Sequence, residues 1–222
     1  MPHSLSSLQV VASLHPSNGG PSRTVVQLAD ALTGEIGVIV SLLSQGVVDE
    51  PFIQPQGTAV TCRICQSTSR MALRLGWPVR TELARIMGQS PPTLIHNHGL
   101  WQPANHWAAS TARRYGVPLI VHPRGMLEPW ALQHKGFKKR LGMALFQRRD
   151  LETANVLVAT SADEYRNFRR LGLSQPVAVI PNGIDLAAAG GSKVERARTA
   201  GVRTVLFLSR VHKVKGLTKI VQ

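Results

Sequence analysis

Short unbroken apolar runs alternate with segments of helical period along most of the chain. "LQVVASL" (8–14), "IGVIVSLL" (36–43), "PTLIHNH" (92–98), "PLIVHP" (118–123), "NVLVATS" (155–161) and "VAVIP" (177–181) read as strands, aliphatic or β-branched for most of their length and bounded by turn residues. Between them, "TVVQLADAL" places Val25, Val26, Leu28, Ala29 and Leu32 on one helical face. Further helices are predicted over "VRTELARIM" (79–87), over "ANHWAASTARRYG" (104–116), over about 135–151, and over "ADEYRNFRRLG" with Ser161 as its cap. Strands that are apolar on both sides need cover on both faces, and helices alternating with them supply it. The pattern therefore predicts an α/β domain with a doubly wound parallel sheet. Residues 44–78, rich in Gly, Pro, Ser and Thr, predict irregular structure with one short strand.

After "PNGID" the period is lost. "LAAAGGSKVERARTAG" is small, polar and of mixed charge, and "RTVLFLS" (203–209) then begins a new apolar run. The expected organisation is a domain over 1–186, a linker over 187–202, and the opening of a second domain over 203–222. A stretch of some 20 residues is too short to bury a core of its own.

The chain has 222 residues, 43% of them hydrophobic, enough for a sizeable core. No apolar run has the length of a membrane span, and the opening "MPHSLSSLQVVASLHP" lacks the basic start of a signal peptide, so a cytoplasmic protein is expected. A formal net charge of +14 points to anionic partners: nucleic acid, lipid head groups or phosphorylated substrates. Aromatic residues at 5% argue against a stacking platform for single-stranded nucleic acid. The only cysteines, Cys62 and Cys65 in "CRIC", lack the further ligands of a structural zinc site and do not sit clearly at a strand–helix junction. Neither a metal nor a redox role is expected of them.

In a doubly wound sheet, ligands sit beyond the carboxyl ends of the strands, so polar residues there carry the most information. Gly19 and Gly20 in "NGG" follow the first strand and precede a helix, as in a tight turn or as in a phosphate cradle. His96 and His98 close a strand two residues apart and so share a face, as structural hydrogen-bonding residues or as part of a site. Arg124 in "HPRGMLEPW" is placed either on the surface or at the sheet mouth, where its fork suits a phosphate or carboxylate. In "KGFKKRLGMALFQRRD", Phe137, Leu141, Ala144 and Leu145 form an apolar stripe among Lys138, Lys139, Arg140, Arg148 and Arg149. Such a helix either packs its stripe into the core or rests on an anionic membrane. Arg210 and Lys215 in "SRVHKVKG" are two cations at a strand–helix mouth, suited to a diphosphate.

In order and spacing, "NGGPSR", "HNHGLW", "HPRGML", "PNGID" and "SRVHKVKG" resemble the GT-B glycosyltransferases, specifically the retaining family 4. The resemblance implies two Rossmann-like domains facing across a cleft, of which this chain would hold the N-terminal, acceptor-side domain and the start of an incomplete donor domain. It implies donor-phosphate contacts for Gly19, Gly20, Arg210 and Lys215, and a place near the reacting sugar for His98. It implies acceptor contacts for Arg124, joined here by His96 beside His98, and a structural turn at Asn182, Gly183 and Asp185. The implied partners are a nucleotide-sugar donor and a saccharide or lipid-linked acceptor for cell-surface polysaccharide, with peripheral contact to an anionic membrane. No cofactor, metal or nucleic acid is implied. The family's downstream E-x7-E pattern is not in the chain, so the 222 residues alone are expected to be inactive or nearly so. A basic nucleic-acid-binding α/β protein, a GT-B sugar-nucleotide epimerase fragment and a non-catalytic remnant stand as the alternatives.

Overall fold

A computed structural model of the chain describes residues 5–34, 38–183, 205–208, 217 and 220. The expected linker 187–202, Asp185, Arg210 and Lys215 lie outside the described residues. The chain divides into two units between Asn182 and Gly183. In the second, residues 205–208 form no strand, although the sequence predicts one. An extended segment becomes a strand only where a neighbour pairs its backbone, and the described residues supply none.

The first unit is built on seven parallel strands: β1 (Leu5–Val11), β2 (Val38–Val47), β3 (Thr61–Ser67), β4 (Leu94–His98), β5 (Leu119–His122), β6 (Val156–Ala159) and β7 (Val177–Val179). Their spatial order is β3-β2-β1-β4-β5-β6-β7. The order reverses between β1 and β4, which opens a crevice at the carboxyl ends of those two strands. The architecture is the expected α/β, Rossmann-like one.

Helix α1 (Gly20–Thr33) packs Val25, Val26 and Ala29 against Val11, Val40 and Leu42. On the other face, α3 (Trp77–Gln89), α4 (Pro103–Tyr115) and α8 (Ala162–Arg170) bury Leu83, Ala108 and Phe168 over Leu8, Val10, Ile95, Val121 and Leu157. Cover is less even than the sequence predicts. Toward the amino ends of β4, β5 and β6 the residues on α1's side of the sheet, Leu94, Ile120 and Val156, are only half-buried, while their neighbours Ile95, Leu119 and Leu157 are buried. Right-handed crossovers explain this: of the two leftward steps, β1 to β2 puts α1 on one face and β2 to β3 carries no helix, while every rightward step puts its helices on the other.

The region predicted to be irregular is more ordered than expected. Strand β2 continues to Val47, β3 spans Thr61–Ser67, and a short helix α2 (Arg70–Leu75) follows, capped by the Ser69 hydroxyl. β3 is an edge strand with alternating exposure, so it carries no apolar run to mark it. Cys62 and Cys65 lie on β3 three residues apart and pack against different clusters, on opposite faces of the sheet. Burial raises both thiols, Cys65 to about 11 with help from Glu82, so both are held as inert thiols at neutral pH.

Candidate functional site

The carboxyl ends of β1, β4 and β5 converge on one arginine. Pro123 to Met126 make a tight turn, closed by Met126 N–H donating to the Pro123 carbonyl at 3.2 Å, with Arg124 and Gly125 at φ of 55° and 76°. Two left-handed central residues define a type I′ turn, which glycine accepts freely and arginine does not. Arg124 is held there by its surroundings. The buried Glu164 carboxylate accepts from Gly125 N–H at 2.6 Å through one oxygen, and from Thr160 N–H and Oγ1 at 2.7 and 2.8 Å through the other. A turn after β5 is thereby tied to the junction of β6 and α8. A non-glycine residue in this conformation, locked from outside, is a common mark of a functional position.

From that turn the Arg124 side chain reaches back over the sheet. Its Nη1 donates to Thr24 Oγ1 at 2.8 Å and lies 3.5 Å from Asn182 Oδ1, and its Nη2 donates to His98 Nδ1 at 3.1 Å. Guanidinium only donates, so His98 Nδ1 must accept and the ring proton must sit on Nε2. Nε2–H then donates to Gln9 Oε1 at 2.7 Å, and Gln9 Nε2 donates to Ser7 Oγ at 2.6 Å. The tautomer of His98 is thus set from both sides. Strand register places these groups together: Gln9 lies opposite His96, and His98 opposite His122. At the far end, Thr24 Oγ1 donates to the Gly20 carbonyl at 3.1 Å, which joins the first turn of α1 to the same network.

Three imidazoles crowd beneath Arg124. The His96 and His98 ring centres are 4.0 Å apart, and His122 lies 6.0 and 5.8 Å from them. Burial first and the Arg124 charge second push His96 down to about 3. The same causes, with His96 added, bring His122 to about 3. His98, buried beside both other rings and Arg124, is also held well below its ordinary value. All three are neutral at physiological pH. Arg124 itself is lowered to about 10 by burial, opposed by Glu164. Among the described residues its Nε is buried without a partner, as are His96 Nε2 and both His122 nitrogens. Unpaired buried polar atoms cost about 1–3 kcal/mol each, so this cluster is not arranged for stability alone.

Three neutral imidazoles with nitrogens within 4.8 Å of one another have the chemistry of a metal site. One of the three already accepts from a guanidinium, however. A second cation about 4 Å from that charge would meet roughly 4 kcal/mol of repulsion per unit charge at an effective dielectric of 20. The cluster is better matched to holding Arg124 than to holding a metal.

Gly19 sits at φ 79° and ψ −140°, a region that only glycine enters readily, and it turns the chain into α1. A Cβ on Gly20 would meet nothing within 4 Å. The N-terminus of α1 therefore stands open beside Arg124, with unpaired N–H groups suited to an anion. Of the residues singled out from sequence, Gly19, Gly20, His96, His98 and Arg124 are brought together at one rim. Sequence reasoning missed Gln9, Thr24, His122 and Glu164. Only Gln9 carried a local signal, as an amide inside an otherwise apolar strand.

A cavity of about 200 Å³ lies elsewhere, lined by Arg113, Gly116, Pro118, Thr153 and Asn155. It sits at the amino ends of β5 and β6, the edge of the sheet where doubly wound folds do not bind their ligands.

Comparison with known proteins bears on the family and the fold. A family model described as "Glycosyl transferase 4-like domain" matches residues 19–183. No curated protein matches the chain in sequence. Among solved structures, HepE from Anabaena in complex with UDP and glucose is similar at TM-score 0.55 and 16% identity, over 82% of this chain and 46% of that one. A putative UDP-N-acetylglucosamine 2-epimerase from Listeria monocytogenes is similar at 0.54 and 14%, over 79% and 45%. A sucrose-phosphate synthase structure from Thermosynechococcus elongatus is similar at 0.53 and 15%, over 83% and 92%. At these identities the likeness is one of fold, and the chain spans about half the length of the first two.

Proposed function

Because the chain belongs to the glycosyl transferase 4-like family, we propose that its described domain forms the acceptor-side wall of a retaining glycosyltransferase, together with part of the donor-phosphate site. The donor on this reading is a nucleotide sugar, in keeping with the UDP and glucose bound by the similar HepE structure. The acceptor is a saccharide or a lipid-linked saccharide used for cell-surface polysaccharide, and the protein works in the cytoplasm, at the inner face of the membrane. The observation that carries the reading is Arg124, held in a left-handed turn with its guanidinium between His98 and the open N-terminus of α1.

In the proposed reaction the acceptor hydroxyl attacks the anomeric carbon on the face from which the nucleotide diphosphate departs. The sugar C–O bond to the diphosphate breaks, the new C–O bond forms, and the hydroxyl proton leaves with the diphosphate. Negative charge grows on the leaving group, and the Gly20 N–H and the others in the first turn of α1, Pro21 having none, meet it without having to reorient. Arg210 and Lys215 are proposed to grip the same diphosphate. Neutral His98 has no proton to donate through Nδ1. It positions Arg124, and accepts from a sugar hydroxyl when the guanidinium swings to an anionic acceptor. His96 packs behind it on the acceptor side.

Since the chain covers under half of HepE, the 222 residues are expected to bind ligand but to transfer sugar feebly or not at all. Titration calorimetry with UDP-glucose tests the reading. Gly20→Ala adds a methyl group where the protein offers open space, so thermal unfolding should be unchanged while the methyl obstructs the phosphate approach. About a tenfold loss of affinity is expected, roughly 1.4 kcal/mol. No binding by the unmodified chain, or equal binding by Gly20→Ala, would contradict the assignment.

A further inference from the structure

The segment Gly136–Glu152 runs as one helix in three windings: α6 (Gly136–Gly142), a π-helical turn (Met143–Gln147) and α7 (Arg148–Glu152). Its apolar residues face two ways: Leu151 is buried in the core with Met143 packed against it, while others face outward. The side facing the domain is anchored by polar groups: Gln147 Oε1 accepts from Trp101 N–H at 2.8 Å, and the buried Asp150 carboxylate takes Arg113 Nη1 at 2.6 Å and His106 Nδ1 at 2.8 Å. The opposite side carries Phe137, Leu141 and Leu145, which are 81%, 52% and 71% exposed. The stripe seen in the sequence is therefore not core packing.

Residues four apart on an α-helix drift by about 40° around its axis. A π turn is wound wider than an α turn, so it offsets that drift and keeps Leu145 in line with Leu141. Around the stripe, Lys135, Lys138, Arg140, Arg148 and Arg149 are exposed, and no carboxylate occurs from Lys135 to Arg149. Among the described residues only Arg148 has an acidic partner, Glu152 at 2.7 Å. Lys139 turns inward, its ammonium donating to the Ala131 carbonyl and lying 5.6 Å from the Trp101 ring. Among the described residues no helix is long and apolar enough to cross a membrane.

We propose that this helix is a peripheral docking surface for an anionic lipid bilayer, with Phe137, Leu141 and Leu145 entering the acyl boundary and the flanking cations meeting phosphate head groups. Apolar side chains in line with a cationic rim match a charged interface, which offers oil below and anions above. A protein partner of the usual kind would meet fewer isolated cations around an apolar centre. The inference rests on the proposed place at the inner face of a membrane and names the surface that meets it; vesicle binding tests it apart from ligand binding at the sheet rim.

Vesicle sedimentation of the 222-residue protein tests it, with phosphatidylcholine alone and with phosphatidylcholine mixed with phosphatidylglycerol. Binding is expected to the mixed vesicles only, and to fall as salt is raised. The triple variant Phe137→Ser, Leu141→Ser, Leu145→Ser changes only exposed positions, so its thermal unfolding should match that of the unmodified chain. Its partition onto mixed vesicles should drop about tenfold or more. The proposal is overturned by equal binding to neutral vesicles, by no binding to either kind, or by an unaffected triple variant. It is equally overturned if light scattering finds a dimer that the triple variant dissolves, with no lipid bound.

Discussion

Arg124→Ala is expected to weaken binding of a glycosyl diphosphate, a soluble mimic of a lipid-linked acceptor, by about 100-fold. Hydrogen bonds to a charged group contribute about 1.5–3 kcal/mol each, and a guanidinium offers two in parallel. Loss of both is roughly 3 kcal/mol, which is the stated factor. Arg124→Lys should recover little, because one ammonium cannot span the distance between Thr24 and His98 while facing a ligand. A purely structural arginine would give another result: lowered stability with ligand affinity retained in whatever stays folded. Nitrogen NMR of the histidine side chains gives a second readout. Removal of the neighbouring cation should let His96 and His122, both now near 3, titrate at higher pH.

Acidification from pH 7 to 5 is expected to destabilise the first unit steeply. His96 and His122 titrate near 3 in the folded protein, and His98 is also lowered, against about 6.5 when unfolded. Below pH 6.5 the unfolded chain takes up protons that the folded chain refuses. The stability these neutral rings contribute is therefore present in full above about 6.5 and is lost as pH falls toward 3. Each such histidine adds a slope of about 1.4 kcal/mol per pH unit. His96 and His122 together reach about 4 kcal/mol over this interval, a large part of the total stability of a typical domain, and His98 acts in the same direction. Urea unfolding at a series of pH values measures the slope, and His96→Gln should reduce it by about 1.4 kcal/mol per pH unit. A flat profile between pH 7 and 5 would show that the cluster is not buried as described.

What the sequence discloses, and what it withholds, follows from whether the signal is local. The aliphatic runs at 8–14, 92–98, 118–123 and 155–161 announce β1, β4, β5 and β6, because central parallel strands are apolar on both sides. β3 announces itself only as one short strand somewhere in 44–78, since an edge strand with a wet face reads much like a loop. Gly19, Gly20, His98 and Arg124 are legible as residues that follow strands in an α/β alternation. Gln9 is legible only as an amide among apolar residues, and its role depends on a neighbour 89 positions away. Glu164 lies three residues after the Ser161 cap, where an acidic residue is ordinary, yet its carboxylate closes the Arg124 turn 39 positions upstream. The stripe at 137–145 shows the limit from the other side. Period reveals that a helix has an apolar face, but Trp101, Arg113 and His106 decide which face turns inward.

The central claim is that phosphorylated sugars meet this sheet at the rim shared by Gly20, His98 and Arg124. The most direct test is an amide and histidine NMR titration of the 222-residue chain with UDP-glucose. The account predicts shifts concentrated at Gly20, Thr24 and Gly125 and at the His98 ring, with Gly116 and Asn155 at the opposite edge unmoved. Shifts centred on Gly116, Thr153 and Asn155 instead, or none at saturating ligand, would contradict it.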